Sequence, residues 1–86
     1  MPSPRSGTAA AALGGKIFVF GGEAPSGTFN QTESYDPGTD SWSAWKPMPT
    51  GRHGLGAAVV GQKIYVISGG PTPGGSYSSA NEVFTP

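Results

Sequence analysis

Few side chains in this 86-residue chain are equipped for chemistry, and they do not add up to a catalytic set. His53 is the only histidine and there is no cysteine, so the chain alone offers no histidine-based metal cluster, thiolate zinc site, disulfide or cysteine nucleophile. No metal or other cofactor is expected. Glu33 and Glu82 are two carboxylates that could be cast as an acid and a base. Arg5 and Arg52 each carry a rigid donor fork of the kind that grips carboxylates. Trp42 and Trp45 present rings able to stack on a sugar. Residues 56–62 imitate the glycine spacing of a phosphate loop but lack its lysine, its Ser/Thr and the helix that must follow. Asn30-Gln31-Thr32 fits the glycosylation sequon, a three-residue match that chance readily supplies.

Several of these candidates come in pairs, and the pairing is a property of the whole chain. Displaced by 47 positions, residues 1–19 fall on residues 48–66 with identities at 10 of 19 positions. At an offset of 48 the doublet Gly21-Gly22 meets Gly69-Gly70, and at 49 Glu33 meets Glu82. An offset that grows one residue at a time is how loop insertions behave between fixed strands. The chain is therefore one repeat of 47–49 residues and most of a second. Under this reading Glu33 and Glu82 do the same structural job twice, each anchoring its repeat by hydrogen bonds or an ion pair. His53 stands where the first copy has Ser6, so it reads as a solvated loop residue that is also available to a ligand.

Composition narrows the architecture. Fifteen glycines and nine prolines in 86 residues, with only two leucines, suit an all-β chain of short strands and tight turns. Five Lys+Arg balance five Asp+Glu, so there is no electrostatic footprint for nucleic acid or an anionic membrane surface. No apolar run approaches the roughly 18 residues of a membrane-crossing helix. A chain this short buries only about 60% of its unfolded surface, which leaves an independent core marginal.

Within each repeat the strands can be placed. Residues 8–13 and 55–60 are the first strand. The alanines of the first copy favour helix by propensity, but six residues are too few to sustain one, and Val59-Val60 in the second copy point to strand. Gly14-Gly15 and Gly61-Gln62 are two-residue hairpin links of type I′ or II′. Residues 16–20 and 63–67 form a second, nearly continuous apolar strand, as expected for burial on both faces. Each ends at a glycine doublet. Polar loops follow at residues 23–29 and 71–76, then third strands at about 30–35 and 78–84. Asp36-Pro37-Gly38-Thr39-Asp40 is a turn, with Asp36 and Asp40 accepting local N–H groups, before a fourth strand at 41–46. Pro47-Met48-Pro49 ends that strand.

The ordered set Arg5-Ser6-Gly7, residues 16–22, Glu33-Ser34-Tyr35-Asp36-Pro37, Trp42 and Pro47-Met48-Pro49 resembles the kelch repeat. Arg52-His53-Gly54, residues 63–70 and Glu82–Pro86 resemble it a second time, with Phe84 in place of tyrosine and Thr85 in place of aspartate. The resemblance implies an all-β fold: two adjacent antiparallel blades of a kelch-type β-propeller, the second lacking its outermost strand. Residues 1–7 lead in, 8–46 form the first blade, 47–54 link, and 55–86 form the second blade. Each first strand would line a central channel, where crowding keeps residues 9–12 and 56–58 small. Phe18, Tyr35 and Trp42 would fill the space between blades, leaving Trp45 the freer tryptophan. Gly21, Gly22, Gly69, Gly70, Glu33, Glu82, Tyr35 and Trp42 are thus the expected structural set.

The resemblance also places Arg5 and Arg52 at one mouth of the channel, either in inter-blade ion pairs or presented to a ligand. The two long loops should open on the same face. Candidate ligand contacts are therefore Arg5, Arg52 and His53, with Ser26 and Thr28 from the first loop and Ser76 and Tyr77 at the second. The reading favoured is a non-catalytic interaction module for a protein or peptide, acidic if the arginines take part. The alternative is part of a propeller enzyme or carbohydrate-binding protein, of the galactose-oxidase-like or sialic-acid-mutarotase-like groups. Either way, an unpaired edge at the third strand of the second repeat implies further blades or self-association.

Overall fold

A computed structural model of the chain describes residues 5–72, 76 and 78–86. Nine strands and no helix make up the described residues: β1 (Ala9–Leu13), β2 (Lys16–Phe20), β3 (Glu23–Ala24), β4 (Gly27–Thr28), β5 (Thr32–Asp36), β6 (Ser41–Trp45), β7 (Gly56–Val60), β8 (Lys63–Ile67) and β9 (Asn81–Phe84). They form a four-stranded sheet of order β1-β2-β5-β6, a three-stranded sheet of order β7-β8-β9, and the small hairpin β3–β4. All pairings are antiparallel.

The alanine run becomes a strand because its backbone is taken up by β2, from Ala9↔Phe20 to Leu13↔Lys16. Its small side chains then let β1 lie against β7, the equivalent strand of the second sheet. Both central residues of the first hairpin take positive φ (Gly14 63°, Gly15 77°), as a type I′ turn requires. In the second link only Gly61 does, at 61°, which leaves Gln62 in a region that any residue tolerates. Residues 23–29 are not the open loop that their polarity suggests. Glu23 pairs with Thr28 and Ala24 with Gly27, and the hairpin is tied back by a bridge between Ser6 and Glu23. Two-residue strands are too short to leave a hydrophobic period in the sequence.

The core lies between the two larger sheets. Ala9, Phe18 and Phe20 from the first meet Ile64 and Val66 from the second, with Met48 and Leu55 supplied by the connecting segment. Phe84 is packed by three rings, with centroids 5.5 Å from Phe18, 5.6 Å from Phe20 and 6.0 Å from Trp45. Burying each large side chain contributes about 1.5–3 kcal/mol, and each tilted or edge-on ring pair about 0.5–1.5 kcal/mol more.

Trp45, read as the freer tryptophan, is the one that meets the second sheet. Trp45, opposite Thr32, enters this core, lies 5.3 Å from Phe18 and donates its indole N–H to Ser34 Oγ at 2.7 Å. Trp42, opposite Tyr35, is 36% exposed on the other face of the sheet and stacks only on Tyr35. Residues three apart on a strand point to opposite faces, so only one of the two could enter the interior. Tyr35, expected between the blades, shares that outer face.

The glycine doublets are backbone-critical. Gly21 and Gly22 have φ of 66° and 111°. A Cβ on Gly21 would overlap the Arg52 carbonyl oxygen, and one on Gly22 would lie 2.8 Å from the Ser6 carbonyl oxygen. At Gly69, with φ 89°, a Cβ would lie 2.7 Å from the His53 carbonyl oxygen, and at Gly70 it would overlap Ser76. Gly22→Val therefore meets both a left-handed backbone and a neighbouring chain. It should destabilise the fold by about 1 kcal/mol or more, read as a lowered denaturation midpoint. An unchanged midpoint would contradict this account.

Candidate functional site

The two larger sheets share one end at which β1 and β7 begin and β2 and β8 leave. Every ligand candidate read from the sequence that the structure describes belongs to segments gathered there. Tyr77 lies outside the described residues, as does the middle of the second loop.

Arg5 precedes β1, and its guanidinium is turned into the sheet rather than out of it. Nη1 donates to the carbonyls of Gly21 (2.7 Å) and Gln31 (3.1 Å), and Nη2 to Glu33 Oε1 at 2.5 Å. The Phe29 ring covers the group, 5.8 Å from Cζ to centroid. Arg52 repeats this arrangement on the equivalent atoms. Its Nη1 donates to the carbonyls of Ser68 (2.8 Å) and Ala80 (3.1 Å), and its Nη2 to Glu82 Oε1 at 2.7 Å. Glu82 Oε2 also accepts from the Thr50 hydroxyl at 2.9 Å. Both arginine side chains are wholly buried. The expectation that they reach out to a ligand is corrected: each guanidinium is spent on one carboxylate and on main-chain carbonyls of its own repeat. Glu33 and Glu82 each accept from the arginine of their own repeat.

His53 is likewise buried and not solvated. Its backbone bridges Gly70, as that of Ser6 bridges Glu23 one repeat earlier. From there its Nδ1 lies 3.1 Å from Glu23 Oε2 and its Nε2 2.9 Å from the Thr72 carbonyl oxygen. A side chain that the first copy lacks thus joins the hairpin of one repeat to the loop of the next. Thr28 makes a parallel link, donating to the Pro71 carbonyl at 2.8 Å. Ser76 bonds the Thr72 carbonyl beneath the same loop. Ser26 is exposed at the tip of β3–β4, beside exposed Pro25, and Pro71 and Thr72 are exposed across from them. The surface presented is one hairpin tip and one loop, laced together by Thr28 and His53.

Elsewhere, a cleft of about 260 Å³ opens between the exit of β6 and β9, with Met48, Glu82 and Phe84 among its walls. Residues 56–62, the phosphate-loop imitation, are strand β7 and its turn. No group of three or more His, Asp or Glu among the described residues is placed to hold a metal. At the opposite end, Asp36 accepts from the Gly38 N–H at 2.9 Å, a local turn bond. Asp40 instead accepts from the Tyr35 hydroxyl at 2.7 Å.

Two sheets packed face to face with their first strands side by side are adjacent blades of a β-propeller. The Kelch motif family matches residues 4–49, more than half of the chain, and the chain belongs to that family. The solved structure of YjhT is similar to it, with 31% identity and a TM-score of 0.71 over 80% of this chain. The chain spans 22% of the YjhT chain. No curated protein sequence matches it.

Sequence reasoning missed three features of this end. Met48 enters the core from a segment read as a linker, its only signal an apolar side chain between prolines, and Leu55, read as the first residue of a strand, enters it from just before that strand. The arginine acceptors are mostly main-chain carbonyls, which residue types do not reveal. The His53 partner comes from the preceding repeat.

Two measurements check this geometry. Arg52→Ala leaves Glu82 and two carbonyls without their donor and should cost about 3–5 kcal/mol. Arg52→Lys keeps the charge but cannot span three acceptors, and should cost about 1–3 kcal/mol. Urea midpoints that barely move in either variant would show that the fork is not an anchor. Separately, the hydrogen bond to Asp40, then partial desolvation and the Asp36 charge, hold the Tyr35 phenol above its ordinary pKa of 10.0. The folded state keeps this proton longer than the unfolded chain does. The contribution to stability is thus complete below the ordinary value and is lost as pH rises through the folded one. Asp40→Asn, which tolerates the φ of 49° at that position, should lower the Tyr35 titration seen by NMR of its ring. An unmoved titration would remove Asp40 as the cause.

Proposed function

We propose that this kelch-family chain is a non-catalytic interaction module whose binding face is the hairpin tip at Pro25-Ser26 together with the loop at Pro71-Thr72. The observation that carries this reading is the lacing of the two segments by Thr28 and His53. Loops from two repeats are held as one surface while their tips stay exposed. Holding recognition loops on a rigid frame reduces the ordering cost on binding. The partner class is a protein or peptide that spans both tips. An acidic preference rested on Arg5 and Arg52, and with both guanidinium groups occupied by Glu33 and Glu82 no charge preference is assigned.

Affinity selection of a random peptide library on the full chain tests this. Selected peptides should lose about tenfold or more in affinity, some 1.4 kcal/mol, on Ser26→Arg or Thr72→Arg. They should be indifferent to Lys46→Ala, on an exposed residue outside this face. Selected peptides insensitive to both loop substitutions, or a library that yields none, would overturn the proposal.

A further inference from the structure

His53 stands where the first repeat has Ser6, and its ring lies between two oxygens that accept hydrogen bonds and donate none. Nδ1 is 3.1 Å from the Glu23 carboxylate in the β3–β4 hairpin, and Nε2 is 2.9 Å from the Thr72 carbonyl oxygen in the second loop. A neutral imidazole carries a proton on one nitrogen and a lone pair on the other. With the proton on Nε2, a bare Nδ1 faces the carboxylate. With it on Nδ1, a bare Nε2 faces the carbonyl. Only the imidazolium, which donates from both nitrogens, satisfies the two contacts at once. The His53 side chain is 11% exposed, so water is poorly placed to make good a missing donor. The Ser76 hydroxyl also donates to the Thr72 carbonyl, which fixes that acceptor beside the ring.

The other charged groups around the ring are engaged elsewhere. Arg5 precedes the Ser6–Glu23 bridge, and Arg52 precedes His53 itself, but both guanidinium groups turn into their own sheets onto Glu33 and Glu82. Residues 24–29, 54–60 and 68–76 carry no titratable side chain. Glu23 is thus the titratable group that the ring meets. We infer that His53 is a proton-operated latch: its imidazolium ties the hairpin of one repeat to the loop of the next, and loss of the proton releases them. Histidine changes charge between about pH 5 and pH 8. The laced arrangement binds one proton more than the released one. By linkage, lacing therefore strengthens as pH falls through this range and weakens as pH rises. Thr28 keeps its bond to the Pro71 carbonyl at either pH, so release loosens the surface without parting the repeats. The bearing of the latch on recognition rests on the reading of the two tips as one binding face, held together at the acid end of the range and moving more independently at the other.

Amide hydrogen exchange of the unliganded chain, corrected for the intrinsic effect of pH, tests the latch. The Glu23 amide donates to the Ser6 carbonyl and the Gly70 amide to the His53 carbonyl, one on each side of the ring. Their protection should fall about tenfold or more between about pH 5 and pH 8, as the loss of a charge-assisted hydrogen bond implies. Val19, in the central strand β2, should keep its protection throughout. His53→Ser, which installs the first repeat's own residue, should show the lower protection at both ends of the range. Glu23→Gln sets an amide donor against Nδ1, so a neutral ring can accept there and donate to Thr72. Its protection should survive at the higher pH. Val19 reports whether each variant still folds. A wild-type chain whose Glu23 and Gly70 amides are indifferent to pH overturns the inference whatever the variants do. So does an equal response in folded His53→Ser, and so does folded Glu23→Gln responding as the wild type does. None of these readings needs a ligand, so a failed peptide selection leaves the latch standing, and a pH-indifferent junction leaves the binding face standing.

Discussion

Each repeat is fastened by one buried guanidinium at the point where the hydrogen-bond ladder between its second and third strands gives out. β2 ends at Phe20, and the chain leaves the sheet to build the hairpin before returning at Thr32. Arg5 grips both sides of that excursion, the Gly21 carbonyl where it leaves and the Gln31 carbonyl and Glu33 where it returns. Arg52 does the same across Ser68, Ala80 and Glu82. The planar fork suits the task because its donors are fixed in direction and can satisfy several acceptors at once. Stability alone would not require a charge here, since a buried ion pair roughly offsets its own desolvation. What the fork adds is register. A one-residue slip of β5 against β2 would send Thr32 and Ser34 to the outer face and draw Glu33 away from the buried guanidinium.

The fold was legible in the sequence wherever its cause was local. Two-residue glycine links, apolar pentads and the Pro-Met-Pro stop each act over a few residues, and the strands they bound lie within a few positions of their reading. The alanine run was ambiguous by itself, and only Val59-Val60 in its second copy decided it. What failed to show depended on partners far along the chain. His53 contacts Glu23, thirty positions upstream, and nothing at either residue announces the other. The arginines could be matched to glutamates by repeat position, but burial decides whether a guanidinium is presented or consumed. The two tryptophans were separable in principle, because a spacing of three forces opposite faces. The inner one is fixed by Trp45 alone having a hydrogen-bond partner and ring neighbours within the core.

Departures from the repeat pattern carry information of the same kind. Tyr35 and Phe84 occupy equivalent positions with different environments. The Tyr35 hydroxyl reaches Asp40 at the sheet's rim, whereas Phe84 is enclosed by Phe18, Phe20 and Trp45. Both side chains are half-buried, so the difference lies in the neighbours that each ring meets.

The same frame explains where this chain is free to change. Because the arginine forks fix both ends of each excursion, the residues between them are relieved of holding the sheet together. The offset between repeats accordingly stays at 47 through the first two strands and reaches 49 only across the excursion. Lengthening a loop whose ends are already fixed costs little, since closure entropy grows only with the logarithm of length. The first excursion folds into the β3–β4 hairpin, and in the second the Ser76 hydroxyl donates to the Thr72 carbonyl. Contacts between the two excursions, through Thr28 and His53, then turn two independently variable segments into one surface. Variation in length is confined to these excursions, and the buried forks allow it without disturbing the core.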